Sequence, residues 1–148
     1  MWSESSSLFT MIISHRGNLQ GPQPWLENKP EYVESAHTAI GEVEIDVWWH
    51  EGAFWLGHDA PQFPIKLSWL SQPWLWCHAK NTDAMERLLA HNLHCFWHQD
   101  DLLTITSKGI PWCRPGVYLP GGVTVLDSHD FPKRNVLGYC SDYAARFQ

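Results

Sequence analysis

The stretch that decides the fold is EVEIDVWWHEGAFWLGHD, residues 42–59. Its first half alternates apolar and acidic residues, which predicts a strand with one apolar face and one polar face. Glu44 and Asp46 share the polar face. Glu51 and Gly52 mark a tight turn, after which residues 53–57 return as a partner strand. The stretch therefore predicts a β-hairpin that carries two carboxylates on one side.

The length of the hairpin loop decides where His58 points. A three-residue loop at 51–53 pairs residue 50 with residue 54, and His58 then lies opposite Asp46 with both side chains on one face. A two-residue loop shifts the pairing by one position and turns His58 away, unless a bulge re-aims it. The grouping of polar residues favours the longer loop.

Further strands are predicted on both sides of this hairpin, and helices separate some of them. Strand-like runs occupy residues 9–14, 74–78, 94–97, 110–113, 123–126 and 136–140, and helices are expected at 30–40, 82–91 and 141–147. This order is typical of a parallel sheet with crossover helices. About eight strand signals predict an α/β fold of the trimmed (β/α) TIM-type barrel kind, incompletely closed, with an open α/β sheet as the alternative. Residues 9–148 are predicted to form one domain, and the polar residues 1–8 a disordered tail.

Composition excludes several classes of function. The 148 residues carry a net charge of −6 and no basic stripe, which argues against a nucleic-acid partner. No apolar run approaches ~18 residues, so no membrane span is expected, and no signal peptide is evident. The four cysteines form no C-x-x-C pair and are expected to be reduced and buried, which favours a cytoplasmic location. Most of the ten tryptophans are expected to build the core rather than sugar-binding platforms.

Side chains that can bind a metal, bind an anion or transfer protons lie where the predicted strands end. His15 and Arg16 follow the first strand, and His78 and Lys80 end the strand that begins at residue 74. Two carboxylates on one face require a cation between them, and oxygen ligands suit Mg²⁺ or Ca²⁺. Such a metal with Arg16 and Lys80 would neutralise a phosphodiester, and a pair of histidines would move the protons.

The order of five short motifs resembles the glycerophosphodiester phosphodiesterase family. The motifs span roughly residues 12–60 and are His15-Arg16-Gly17, Glu27-Asn28, Gly41, Glu44-Ile45-Asp46-Val47 and His58-Asp59. The resemblance implies a (β/α)₈ barrel, with His15 and His58 as general acid and base. It also implies that Glu44 and Asp46 bind the metal, with Glu27 nearby.

Two departures from the family pattern concern the metal. Lys29 follows Asn28 where the family has Thr, and the expected third carboxylate, in an E-x-K motif, is replaced by His78. A histidine ligand would move the metal preference from Mg²⁺ or Ca²⁺ towards Mn²⁺ or Zn²⁺. Alternatively, Asp100 or Asp101 supplies the missing oxygen.

The leading hypothesis is therefore a phosphoric diester hydrolase that requires a divalent metal and acts on a small glycerophosphodiester or phospholipid-head-group-like substrate. The alternative is a catalytically inactive barrel that binds a phosphorylated or carbohydrate ligand. A third interpretation is a zinc-binding domain, whose candidate ligands would be Cys77, His78, His94, Cys95 and His98. The head group and the oligomeric state are not predicted.

Overall fold

The structure, a computed structural model, describes residues 10–147, so the tail predicted at residues 1–8 lies outside the described residues. The strands are β1 (Met11–His15), β2 (Glu42–His50), β3 (Ala53–Leu56), β4 (Phe63–Ile65), β5 (Leu75–Ala79), β6 (Cys95–Phe96), β7 (Leu103–Ile105), β8 (Pro111–Cys113), β9 (Val123–Val125) and β10 (Gly138–Ser141). The helices are α1 (Pro30–Ile40), α2 (Leu67–Leu70) and α3 (Thr82–Ala90), followed by a 3₁₀ turn at Ala144–Arg146.

The ten strands form one mixed sheet that curls into a half-barrel. Its main path runs β4-β3-β2-β1-β10-β9-β8-β7, and β5 and β6 extend from β2. The nine-residue strand β2 organises this branching. Its amino-terminal part pairs with β1 and its carboxyl-terminal part with β3, while β5 lies along its central residues. Strand β2 therefore pairs with three strands, β1, β3 and β5.

The prediction of a trimmed TIM-type barrel is wrong. Such a barrel alternates parallel strands with helices and needs ~250 residues. Here the connections 114–122 and 126–137 contain no helix, and three strand pairs, β2–β3, β3–β4 and β7–β8, are antiparallel. With three short helices among the described residues, the chain has too few crossovers to surround a closed barrel, and it forms a small mixed α/β fold instead.

The β2–β3 hairpin is present, but the predicted three-residue loop is wrong. His50 pairs with Ala53, which leaves a two-residue loop. Its residues Glu51 and Gly52 have φ angles of 50° and 76°, the positive values that a type I′ turn requires. Strand β3 ends at Leu56, two residues before His58, so the ladder register does not determine the direction of the His58 side chain.

Other elements agree with the sequence patterns. Helix α1 spans the predicted residues and ends at Gly41, whose φ of 102° a residue with a side chain rarely adopts. Helix α3 ends one residue before its predicted boundary. The predicted closing helix is reduced to the 3₁₀ turn, because Ser141 belongs to β10. The short elements β4, α2 and β7 were not predicted.

Two apolar layers cover the two faces of the sheet. The outer layer packs the helices against alternate residues of β2 and β5, including Val43, Ile45 and Val47. The inner layer forms a floor inside the half-barrel and consists of Ile13, Trp76, Phe96, Trp112, Val123 and Cys140. All four cysteines are free and buried, as expected. The expectation for the tryptophans holds only in part: Trp76 and Trp112 are buried, four others pack partly buried against the core, and Trp25 is exposed. No helix described between residues 10 and 147 has the length and apolar character needed to cross a membrane.

Candidate metal and phosphate site

Glu44, Asp46 and His78 form a compact cluster on the inner face of the sheet. Asp46 on β2 is the register partner of His78 on β5, and Glu44 precedes Asp46 by two residues on the same face. One potential ligand atom from each side chain lies within 4.8 Å of the other two. The parallel pairing of β2 and β5 therefore assembles a possible metal site above the apolar floor.

One oxygen of each buried carboxylate lacks a hydrogen-bond partner. Glu44 is 2% exposed and Asp46 is fully buried, yet Glu44 Oε1 and Asp46 Oδ1 accept no hydrogen bond within the described structure. Burial and the neighbouring charge of Asp46 raise the pKa of Glu44. Burial also acts to raise the pKa of Asp46, but His78, Arg16 and Asn28 outweigh it and hold that pKa below its usual range. A cation between the two oxygens would relieve both features.

The orientation of the His78 ring makes it a suitable metal ligand. Its Nε2 atom donates a hydrogen bond to the backbone carbonyl of His98 at 2.9 Å, and its ring stacks on Phe96 with centroids 5.0 Å apart. In the neutral ring Nδ1 then carries a lone pair, which points at Asp46 Oδ1, 3.4 Å away. A lone pair beside carboxylate oxygens is repulsive unless a proton or a metal lies between them. A fixed second nitrogen of this kind is characteristic of histidines that bind metals.

His15 is held beside the cluster by a residue that the sequence patterns did not identify. Its Nδ1 atom donates to Asp142 Oδ1 at 2.9 Å, and its Nε2 atom lies 3.7 Å from Glu44 Oε1. Burial acts to lower the pKa of His15, but the hydrogen bond to Asp142 and the charge of Glu44 outweigh it and raise that pKa. Asp142 also accepts a hydrogen bond from Asn18 Nδ2 at 2.9 Å. The carboxylate thus sets both the tautomer and the direction of the His15 ring.

Arg16 lies between two carboxylates of the protein itself. Its Nε atom is 3.1 Å from Asp46 Oδ2, and its Nη1 atom donates to Glu27 Oε1 at 3.3 Å. Its backbone has a φ of 60° and is held on both sides, because its N–H donates to the carbonyl of Glu44 and its carbonyl accepts from the N–H of Asn28. Glu27, expected near the metal, instead contacts Arg16 and Asn18.

The amide of Asn28 fixes Asp46 in place. Its Nδ2 atom donates to Asp46 Oδ2, and its Oδ1 atom accepts from the Asp46 backbone N–H, both at 2.9 Å. Gly17 allows the loop to close in this way, since a Cβ there would lie 2.6 Å from Cδ2 of Tyr32. The Glu-Asn and His-Arg-Gly motifs are therefore two parts of one loop that supports the β2 carboxylates.

The cluster opens into a cavity of about 370 Å³. Its lining residues are His15, Arg16, Glu44, His78, His98, Gln99, Asp100, Asp101, Trp112, Arg114, Pro115 and Val125. Asp100 and Asp101 are the predicted alternatives for the third oxygen ligand. Both line the cavity as exposed side chains, and neither belongs to the cluster of Glu44, Asp46 and His78.

Four predicted site residues do not line this cavity, namely Glu27 and Asp46, described above, and His58 and Lys80. His58 is 43% exposed, and its Nδ1 atom lies 2.8 Å from Asp59 Oδ1. Its pKa is lowered by partial burial and then by the charge of Arg16, which indicates that it is close to the site without facing the cavity. Lys80 follows β5, and its backbone N–H donates to the carbonyl of Val47. The structure therefore brings together His15, Arg16, Glu44, Asp46 and His78, with His58 and Lys80 at the edge.

The residues of the zinc-binding interpretation are not gathered at one point. Cys77 and Cys95 lie in the outer apolar layer, whereas His78 faces the inner side. His94 is engaged with the hydroxyl of Thr106 at 2.8 Å. Within residues 10–147, Glu44, Asp46 and His78 are the one group of such residues close enough to share an ion.

Comparisons with protein-family models, curated proteins and solved structures found no match to this chain. The resemblance to glycerophosphodiester phosphodiesterases therefore depends on the short motifs alone and stays a prediction.

Two further residues follow the rule that candidate side chains lie where strands end. Asp142 could have been found by this rule, because it is the first residue after β10. Arg114 likewise directly follows β8.

Proposed function

We propose that the protein is a phosphodiesterase that requires a divalent metal, held by Glu44, Asp46 and His78. The observation that carries this proposal is the pair of buried carboxylates, each with one oxygen that lacks a hydrogen-bond partner, beside His78, whose Nδ1 lies 3.4 Å from Asp46 Oδ1 and 3.7 Å from Glu44 Oε2. Groups arranged in this way are unfavourable together unless a cation binds among them. The bound ion would supply positive charge to an anionic substrate in the adjoining cavity.

The balance of charge around the cluster supports a cation of this kind. Four carboxylates lie close to two basic side chains: Asp46 and Glu27 contact Arg16, and Glu44 and Asp142 lie beside His15. Carboxylates in excess, in a wall this deeply buried, are a property of metal sites rather than of sites that bind an anion directly. A phosphodiester would therefore need the metal in order to enter.

His15 is the proposed general acid or base. His15 lines the cavity and its Nδ1 hydrogen is bound by Asp142, so Nε2 is the nitrogen left to exchange a proton with the substrate. His58 is the proposed second member of the pair, as the motif resemblance implies, although it stands outside the cavity lining. The two histidines should therefore contribute unequally, with His15 the more important.

The decisive experiment measures metal binding and turnover separately. Calorimetric titration with Mn²⁺ and Mg²⁺ tests the cluster, and hydrolysis of bis(4-nitrophenyl) phosphate tests the reaction. Glu44→Gln and Asp46→Asn should abolish both, whereas Glu86→Gln, on the exposed side of α3, should change neither. Metal binding without turnover of any phosphodiester would favour the ligand-binding alternative, and the absence of metal binding by the wild-type protein would refute the proposal.

A further inference from the structure

Arg114 is a cavity-lining cation with no acidic partner among the described residues. It directly follows β8, and its backbone N–H donates to the carbonyl of Leu102 at 3.0 Å. Its side chain is exposed and lines the same cavity as Glu44 and His78. No carboxylate of residues 10–147 lies within 4.0 Å of its guanidinium nitrogens.

The curl of the sheet places Arg114 across the cavity from the proposed metal ligands. The Trp112 ring on β8 lies 5.6 Å from Trp76 on β5 and 4.5 Å from Phe96 on β6, so these strands face each other over the apolar floor. His78 comes two residues after Trp76, and Arg114 comes two residues after Trp112. Positions two apart on a strand share a face. Both side chains therefore rise above the floor from opposing walls.

The other cations near the site are less available. Arg16 already faces Asp46 and Glu27, and its Nε is deeply buried. Lys80 does not line the cavity. An anionic substrate that contacts the metal cluster on one side would meet Asp100, Asp101 and Arg114 on the other, and of these only Arg114 can attract it.

We infer that Arg114, rather than Arg16, is the arginine that binds the non-bridging oxygens of the substrate phosphate. This inference rests on the proposed function. A guanidinium offers two parallel N–H groups that match two phosphate oxygens, which suits a wall opposite the metal. Arg16 has a different role, in which its Nε and Nη1 atoms contact Asp46 and Glu27 within the wall of the site.

The test uses inorganic phosphate as the probe, titrated into the full-length protein at saturating Mn²⁺. Arg114→Gln should weaken phosphate binding by about 10–100-fold, which is the affinity that a hydrogen bond to a charged group usually contributes. The same change should raise KM for bis(4-nitrophenyl) phosphate. The affinity of this variant for Mn²⁺ should stay at the wild-type value. Arg114→Lys should restore part of the phosphate affinity, because it returns the charge without the paired geometry.

Arg134→Gln is the matched control, since Arg134 stacks on Tyr118 away from the cavity and its loss should leave phosphate binding unchanged. Arg16→Gln should weaken phosphate binding less than Arg114→Gln does, because Arg16 already faces Asp46 and Glu27. Wild-type phosphate affinity in Arg114→Gln would overturn the inference even if the metal binds as proposed. A wild-type protein that does not bind Mn²⁺ would instead refute the proposed function, and that result is read from a separate titration.

Discussion

The Nδ1 atom of His78 lies 3.4 Å from Asp46 Oδ1, while the opposite nitrogen of the same ring donates its hydrogen to the carbonyl of His98. This geometry leaves His78 two ways to avoid repulsion from the carboxylate, which are to take up a proton or to bind a metal. In both cases the ring keeps its position, because Phe96 stacks against it. The ring is thus oriented before any ion arrives.

Replacement of this ring by a carboxylate should change the metal preference. His78→Glu would provide a third oxygen ligand, so activity and affinity should move from Mn²⁺ or Zn²⁺ towards Mg²⁺ or Ca²⁺. Calorimetry and activity profiles with the four ions measure the change. His50→Ala, in the exposed β2–β3 hairpin, serves as the control and should behave as wild type. An unaltered order of metals in His78→Glu would mean that His78 is not a ligand.

The histidine pair can be separated by single substitutions. His15→Ala should lower kcat by ~10²–10⁴-fold, the usual contribution of a general acid or base. His58→Ala should lower kcat by less, because His58 does not line the cavity. Steady-state kinetics at saturating Mn²⁺ give both values, and a larger loss in His58→Ala would reverse the proposed order of importance.

Asp142 should act through His15. Asp142→Asn keeps the size of the side chain but removes the acceptor that selects the Nδ1-protonated tautomer of His15. We expect kcat to fall by at least about tenfold, with KM and the Mn²⁺ affinity close to wild type. The double variant His15→Ala/Asp142→Asn should be no slower than His15→Ala. Independent, multiplying losses would show that Asp142 has a separate role.

Gly17→Ala should destabilise the fold through a steric clash, and Gly52→Ala separates that clash from the cost of a positive φ angle. Both Gly17 and Gly52 have positive φ angles, 93° and 76°. A Cβ added at Gly17 would clash with the Tyr32 ring, whereas a Cβ added at Gly52 would have no neighbour within 4 Å. Gly17→Ala should therefore lower the free energy of unfolding by more than Gly52→Ala, whose backbone strain alone is worth about 1–2 kcal/mol. Urea denaturation of both variants measures the difference, and equal losses would show that Tyr32 moves aside freely.

Stability should fall in mild acid because of His94. Thr106 Oγ1 accepts two backbone N–H groups, so its hydroxyl donates to His94 Nε2, and that nitrogen cannot carry a proton without losing the bond. Burial and then the charge of Lys108 lower the pKa of His94 from 6.5 to about 4. Between these values the unfolded chain binds more protons, so the free energy of unfolding decreases as the pH falls from about 6.5 to about 4.

The size of this effect is at most about 3–4 kcal/mol, given about 1.4 kcal/mol for each pH unit of pKa difference. Denaturation curves at several pH values between 4 and 7 test it. His94→Gln removes the titrating ring and should flatten this part of the pH dependence. A slope that persists in His94→Gln must come from other groups.

Much of the proposed metal cluster follows from local sequence rules. The two-residue period of a strand places Glu44 and Asp46 on one face, and the same period brings His78 to the corresponding position on β5. The helix that begins at Pro30 is equally local, because it has Pro in its first turn and Gly41 directly after its last residue. These features depend on residues that are near one another in the chain.

The parts that were missed depend on distant contacts or on a difference of one residue. Asp142 directly follows a strand, as the other candidates do, but its contact with His15 spans 127 positions and no local pattern predicts that pairing. The hairpin loop was predicted one residue too long, because the αL geometry of Glu51 has no marker in the sequence. Strands β4 and β7 have three residues each, too few to show a period, and their antiparallel pairing is part of what makes the sheet mixed.

The pairing of β1 with β10 has a consequence for how the protein folds. Every contact in that ladder closes a loop of more than one hundred residues, and the His15–Asp142 bond closes one of the longest. Such long-range contacts slow folding, because the chain loses the entropy of loop closure before the contacts can stabilise it. On a ribosome, β1, β2 and β5 can pair before the last strand emerges, so the proposed metal ligands can meet first. His15, the proposed acid–base residue, can contact Asp142 only once synthesis has passed residue 142.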